Sequence, residues 1–282
     1  MPTWFLLAIL ATLFFGIGEV LIKKGFEYIT PLWSNILYNT LILLRIPLIL
    51  FLAGFNLETP SLLFLLIIFI AGLCYKLHAY AVSKGSVSLV SPLVATYPIV
   101  TVILSFFFLN EKLSLWQFFG ISLVITSSVA LSLPNKKTFG KDIKYSWAYW
   151  GIGAAFLEGF GDFLSKLSIN QVGSYSYLFF MTLMLQSVSI TNFLIDKGGR
   201  KLKKMPLRNF FFSIMGNLFF VVASVFFFLA FDYGNVSLIS PIASAYPGIT
   251  VLLAILFLKE KVNLRQVMAI GGVILGICLI GY

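Results

Sequence analysis

Three residues of one apolar stretch carry charge at intervals of four: Glu158, Asp162 and Lys166. On a helix that spacing puts all three on one face. Glu158 falls about 11 residues into its run, or about 17 Å at 1.5 Å per residue, near the middle of a membrane. A carboxylate is too short to snorkel from there, so its face must look into protein or a wet cavity. The chemistry on offer is the binding of a proton or a cation, and the alternative is a buried structural ion pair. A related pair, Glu19 and Lys23, stands early in the chain. An acid four residues before a base is the favoured order for a local helical ion pair. With Glu19 and Asp162 towards opposite membrane faces, the two acid–lysine pairs also fit as counterpart gates.

Arg45 falls about 13 residues into a second apolar run, near mid-depth at 1.5 Å per residue, with Pro47 close behind. It is the natural counter-ion for Glu158 or for a substrate carboxylate. Lys76 either snorkels to the surface or belongs to the site, and His78, the only histidine, either packs or carries a proton near neutral pH. Pro92, Pro98, Pro241 and Pro247 each remove a backbone donor and free a carbonyl, predicting kinks that act as hinges. Thr96, Tyr97 and Tyr246 stand beside those kinks, as ligand contacts or as packing. Most of the 30 Phe residues, Phe106–Phe108 and Phe226–Phe228 among them, are expected to face lipid, with only a few left to form an aromatic cage for a cation. One histidine and two separated cysteines, Cys74 and Cys278, do not make a metal site, and the cysteines are expected to be small core residues. No cofactor is expected.

These residues need elements to position them. Of 282 residues, 60% are hydrophobic and 11% charged, against about 25% charged in a soluble domain. Runs such as Phe64–Ile70 are apolar on every face, which selects membrane helices over an alternating barrel. Apolar runs and their boundaries predict an all-α polytopic membrane protein with ten helices, near 4–23, 32–54, 61–82, 88–109, 114–133, 147–167, 174–195, 209–231, 236–258 and 263–281. That leaves no room for a soluble domain.

The net charge of +10 reads as topology rather than as nucleic-acid binding, because 16 of the 20 Lys and Arg residues fall at the odd-numbered connections. Basic residues stay on the cytoplasmic side, so the basic loops are expected inside and both termini outside the cell membrane. The run 197–208 is a topology signal that also suits anionic lipid head groups.

The chain also repeats itself. Ser91–Pro98 recurs 149 positions later as Ser240–Pro247, with Glu111-Lys112 matched by Glu260-Lys261 and Gln117 by Gln266. At an offset of 143, Gly16-Ile17-Gly18-Glu19 matches Gly159-Phe160-Gly161-Asp162, and Lys23 matches Lys166. Two five-helix repeats follow, 1–133 and 147–282, joined by a cytoplasmic linker at 134–146. An odd helix number inverts the second copy, which is the signature of alternating-access carriers.

The segment Ala81-x-x-Lys84-Gly85, Ser91-Pro92, Pro98, Asn110-Glu111-Lys112, Gln117 and Gly120, its second copy from Ala230 to Gln266, and the Gly16–Lys23 and Gly159–Lys166 motifs resemble the EamA type of the drug/metabolite transporter superfamily. The resemblance covers nearly the whole chain. It implies a polytopic carrier, commonly an exporter of amino acids or other metabolites, with a central cavity built by the first four helices of each half and a peripheral fifth and tenth. Glu19 departs from the family pattern, which has an aromatic or aliphatic residue there, and the departure favours a cation, a zwitterion or a proton.

The expected function is therefore secondary active transport of a small organic solute such as an amino acid or amine, as proton-coupled export. The alternatives are a uniporter, an exchanger or an importer of a neutral metabolite, a non-transporting assembly subunit and, remotely, an intramembrane enzyme acting on lipid-linked substrates. The enzyme lacks a supporting motif such as H-E-x-x-H or G-x-S-x-G. Expected partners are membrane lipids, the substrate and protons; monomer and homodimer both remain open.

Overall fold

The computed structural model describes residues 1–25, 29–74, 93–132, 146–197, 200, 207–258 and 264–282. Every element in them is helical, as a chain must be when apolar side chains surround its backbone and only internal hydrogen bonds can satisfy it. The order is α1 (Thr3–Gly25), α2 (Pro31–Ile42), α3 (Arg45–Leu52), α4 (Leu62–Cys74), α5 (Pro98–Phe108), α6 (Leu115–Ser132), α7 (Ser146–Ile195), α8 (Leu207–Tyr233), α9 (Val236–Ala243), α10 (Tyr246–Leu258) and α11 (Leu264–Gly281).

Several helices are broken, and each break has a local cause. The apolar stretch Ala148–Ile195 runs for 48 residues. At 1.5 Å per residue that is about 72 Å, twice what a 30 Å hydrocarbon core needs. Its backbone leaves the helical region at Gly173, with φ 73 and ψ 162, so α7 is two limbs joined where a left-handed turn requires glycine. Pro47 has no donor for the Leu43 carbonyl. The chain there tightens into three-residue steps, Leu44 N to Leu41 O at 3.0 Å and Ile46 N to Leu43 O at 3.1 Å, which separate α2 from α3. Pro98 opens α5 after a turn at 95–97, and Pro247 follows the turn at Ser244–Ala245 that separates α9 from α10. The expected interruptions at 98 and 247 are present, and Pro241 is carried inside α9.

The packing is reciprocal. The most extensive contacts join α1 to α8, α4 to α7 and α6 to α11. Under the sequence offsets, α1 corresponds to the first limb of α7 and α4 to α8, so the first two pairs are copies of one another and the third is its own copy. Gly120 and Gly276 bring α6 and α11 together so closely that a Cβ on either would lie 2.8 Å from the other's carbonyl oxygen. Their outer faces expose Trp116, Phe118, Phe119, Met268 and Leu275. Cys278 is exposed on the same outer side rather than buried, because only one stripe of α11 faces α6.

The termini and the even-numbered connections gather at one end of the bundle. Trp4 packs on Gly234 and Phe5 on Gly281, Glu58 N donates to Ser176 Oγ at 3.0 Å, and Ser174 donates to Asp232. At the other end, Trp33 Nε1 donates to the Arg200 carbonyl at 3.1 Å. Ser114 and Gln117 form a capping box that starts α6, Ser114 N to Gln117 Oε1 at 3.0 Å and Gln117 N to Ser114 Oγ at 3.2 Å.

Candidate functional site

A cavity of about 190 Å³ lies between α1, α2, both limbs of α7, α8 and the breaks before α5 and α10. Glu19, Glu158 and Asp162 all line it, together with Tyr97 and Tyr246. Each of the five is at least nine-tenths buried. The spacing of four on α7 brings Glu158 and Asp162 to one face, and Glu19 enters from α1. Asp162 Oδ2 accepts from Ser240 Oγ at 2.5 Å, and the Ser240 carbonyl accepts from Tyr97 Oη at 3.2 Å. One carboxylate is thereby tied to α9 and, through it, to the break before α5. None of the described residues lining the cavity is a lysine or arginine, and none comes from α6 or α11.

Other expected site residues stand elsewhere. Arg45 is buried beside the cavity, not in it. Its Nε donates to Thr182 Oγ1 at 2.7 Å, Nη1 to Ser224 Oγ at 3.3 Å and Nη2 to the Leu178 carbonyl at 3.0 Å. The expected partnership with Glu158 is corrected on this geometry: Arg45 opens α3 just past the Pro47 break and points between the second limb of α7 and α8, while Glu158 sits on the first limb. Ser224 and Tyr38 stand between Arg45 and the cavity and line its wall.

Lys166 is also redirected. Its ammonium donates to the carbonyls of Phe231 and Gly234, the latter at 3.0 Å, and not to Asp162 one turn before it. The unpaired carbonyls and negative dipole end of α8 supply the cause. Thr96 folds its hydroxyl back on the Leu93 carbonyl at 2.7 Å and does not line the cavity. Lys76, His78 and Pro92 lie outside the described residues, as does the Lys23 side chain.

Sequence reasoning missed most of the wall. Phe15, Phe220, Phe227 and Phe228 line the cavity, with Phe15 against Phe220 at 5.2 Å and against Tyr246 at 6.4 Å. The expectation that Phe226–Phe228 face lipid is thus corrected at Phe227 and Phe228, which are buried, while Phe106–Phe108 are exposed as expected. Asn217 and Ser224, seven residues apart in the largely apolar middle of the helix, marked this face of α8 in the sequence.

The frame around the cavity is duplicated residue for residue. A Cβ on Gly159 would lie 2.3 Å from the Tyr97 carbonyl and 2.7 Å from Val100 Cβ; one on Gly16 would lie 3.1 Å from the Tyr246 carbonyl and 2.6 Å from Ile249 Cβ. Thr101 Oγ1 donates to the Gly159 carbonyl at 3.1 Å, and Thr250 Oγ1 to the Gly16 carbonyl at 3.4 Å. All these partners are related by the offsets 143 and 149.

The model of the EamA-like transporter family matches residues 2–133 and again residues 145–282. The chain belongs to this family. It is a multi-pass membrane protein of the transporter class. The uncharacterized protein MJ1333.1 of Methanocaldococcus jannaschii is 32% identical over 141 residues, which are 48% of this chain and the whole of that relative. A solved crystal structure superimposes with a TM-score of 0.78 at 15% identity, over 98% of this chain and 95% of its own, and shares the fold. In this EamA-like chain the duplicated glycine and threonine contacts and the cavity between them belong to one arrangement, in which α1 and the first limb of α7 each meet the other half's broken helix.

Proposed function

We propose that this protein is a secondary carrier that moves a small organic solute with a cationic group, an amine or amino acid, across the cell membrane by alternating access coupled to protons in the export direction. The observation that carries the reading is the convergence of Glu19, Glu158 and Asp162 on one buried cavity with Tyr97 and Tyr246. A carboxylate in hydrocarbon is expensive, and three in one cavity suit a guest that is a cation or a set of protons. At about 190 Å³ the cavity is smaller than the roughly 300–1,000 Å³ that hold drug-sized ligands, which points to a metabolite of few atoms.

The mechanism rests on the halves 1–133 and 147–282 acting as inverted five-helix repeats, ten crossings in all. Reciprocal packing and the matched glycine contacts support it, as does a relative that is one repeat long. Each half presents its broken helix to the other, so two equivalent packings expose the cavity to alternate sides. Glu158 takes the proton or the substrate cation, with Asp162 and Glu19 completing the acidic wall. Arg45, set behind Ser224 and Tyr38, favours a substrate carboxylate at the opposite wall. Lys23 and Lys166 serve the two mouths. The basic connections face the cytoplasm and both termini face out.

The test is flux in proteoliposomes holding the full chain under an imposed pH gradient, with labelled amines and amino acids. Saturable, pH-dependent flux is expected, falling at least about tenfold in Glu158→Gln, since one lost charge-assisted contact is worth that much or more. Unchanged flux and pH dependence in Glu158→Gln would overturn the assignment, and linear, unsaturable flux would make the protein a channel.

A further inference from the structure

Tyr97 and Tyr246 hold equivalent places in the two halves, 149 positions apart, and both line the cavity with 8% exposure. Their hydroxyls are not equivalent. Tyr97 Oη spends its proton on the Ser240 carbonyl at 3.2 Å. Tyr246 Oη is buried and has no hydrogen-bond partner among the described residues. Across the same cavity, the Nδ2 of Asn35 is a second buried donor without one. Buried donors are satisfied almost everywhere in proteins, and one left without an acceptor is costly. Two in one cavity mark where a guest supplies the acceptor.

We infer that Tyr246 and Asn35 are specificity-determining residues that donate hydrogen bonds to an oxygen of the substrate, so that the site prefers a small ammonium carrying a hydroxyl or carboxylate oxygen over a plain amine of the same size. The inference rests on the cation-carrier reading above and deepens it. The acidic groups take the ammonium, and the two donors read the oxygen. Phe15, tilted against Tyr246 with ring centroids 6.4 Å apart, supplies an apolar surface that cannot replace the missing acceptor. A cavity built to hydrogen-bond an oxygen discriminates strongly against the analogue that lacks it, because the donors are then left unpaired.

The test is binding to the purified full chain in detergent, by titration calorimetry, using pairs that differ by the oxygen: ethanolamine against propylamine, and β-alanine against butylamine. The wild type is expected to prefer the oxygen-bearing member of at least one pair by about tenfold or more. Tyr246→Phe removes only the hydroxyl and should bring that ratio towards one, and Asn35→Leu should lower it in the same sense. Tyr97→Phe, whatever it does to affinity, should keep the ratio, since its hydroxyl is already engaged. Equal binding of both members by the wild type, or equal weakening of both by Tyr246→Phe, would overturn the inference while leaving the cation carrier standing. Failure of every ammonium to bind would remove the carrier reading and this inference with it.

Discussion

Gly159 and Gly16 meet the same partners in opposite halves, a tyrosine carbonyl and a β-branched side chain on the facing broken helix, whereas their preceding neighbours Glu158 and Phe15 share a position and nothing else. Both of these neighbours line the cavity, one as a carboxylate and the other as a ring. The rest of the site mixes matched and unmatched positions. Thr101 and Thr250 repeat a hydrogen bond, Glu19 and Asp162 repeat an acid, but Thr12 donates to the Ile242 carbonyl at 2.9 Å where its counterpart is Ala155. Contacts between the helices of the two halves are matched at Gly16 and Gly159 and at Thr101 and Thr250, and unmatched at Thr12. The cavity wall is mixed: Glu19 with Asp162 and Tyr97 with Tyr246 keep their chemistry between the halves, and Phe15 with Glu158 does not. The match is tightest where a glycine lets one helix reach a backbone carbonyl of the other half, and it is lost at Phe15 and Glu158 on the cavity wall.

The matched surfaces are the place to break first. Gly159→Ala would set a Cβ 2.3 Å from a backbone oxygen, which cannot rotate aside. A loss of about 3 kcal/mol is expected in thermal or denaturant unfolding of the detergent-solubilised chain, the upper part of the usual overpacking range. Gly16→Ala meets the Ile249 side chain first, at 2.6 Å, and should cost less. Gly153→Ala meets nothing within 4 Å and should be near neutral. Equal costs at Gly159 and Gly153 would mean that the close approach is not a required surface. Next in size is Glu111, whose carboxylate reaches the other half and accepts Val236 N and Ser237 N, each at 3.0 Å, together with the Ser237 hydroxyl. Glu111→Gln leaves one acceptor oxygen for three donors and should cost about 2 kcal/mol, the value of a hydrogen bond to a charged group. Hydrogen exchange at Val236 and Ser237 is the local readout: protection there unchanged by the substitution would show that α9 starts without this cap.

The contrast between what the sequence made legible and what it hid follows the same physics. Spans were readable because apolar runs leave only helices as a solution, and the join at Gly173 fell between two expected helices. Glu158 and Asp162 were readable as facing one interior space because a buried charge must face something polar. Glu19 read as the counterpart of Asp162 at the opposite mouth and joins the same cavity only in three dimensions. Ser114-x-x-Gln117 is a capping box written in adjacent residues, and the repeated Gln117 had that explanation in plain view. Spacing along one helix, however, reports only neighbours on that helix. Arg45 finds Thr182 and Ser224, and Glu111 finds the start of α9, each more than 120 residues away, and no periodicity points there. Phe227 and Phe228 read as lipid-facing because an aromatic ring carries no mark of its own side, and the mark lies in Ser224, three and four residues before them.

Lys166 gives the smallest effect and the finest division between the two kinds of contact. The four-residue spacing offers Asp162 as its partner, yet the ammonium caps the end of α8 at Phe231 and Gly234, while Asp162 accepts from Ser240. An ion pair and a pair of unrelated neighbours predict different double-mutant cycles. Lys166→Met alone should cost about 1 kcal/mol, as a cation lost from a helix C-terminus does. Asp162→Asn keeps an acceptor for Ser240 and leaves Lys166 on its carbonyls. The coupling energy between the two substitutions should therefore be about 0.5 kcal/mol or less, near the additive limit for residues that share no partner. A coupling above about 1 kcal/mol would restore the acid–lysine pair as a unit, and with it the idea that the two mouths are closed by matched ion pairs. A coupling near zero separates the roles: Asp162 belongs to the cavity, and Lys166 to the end of α8.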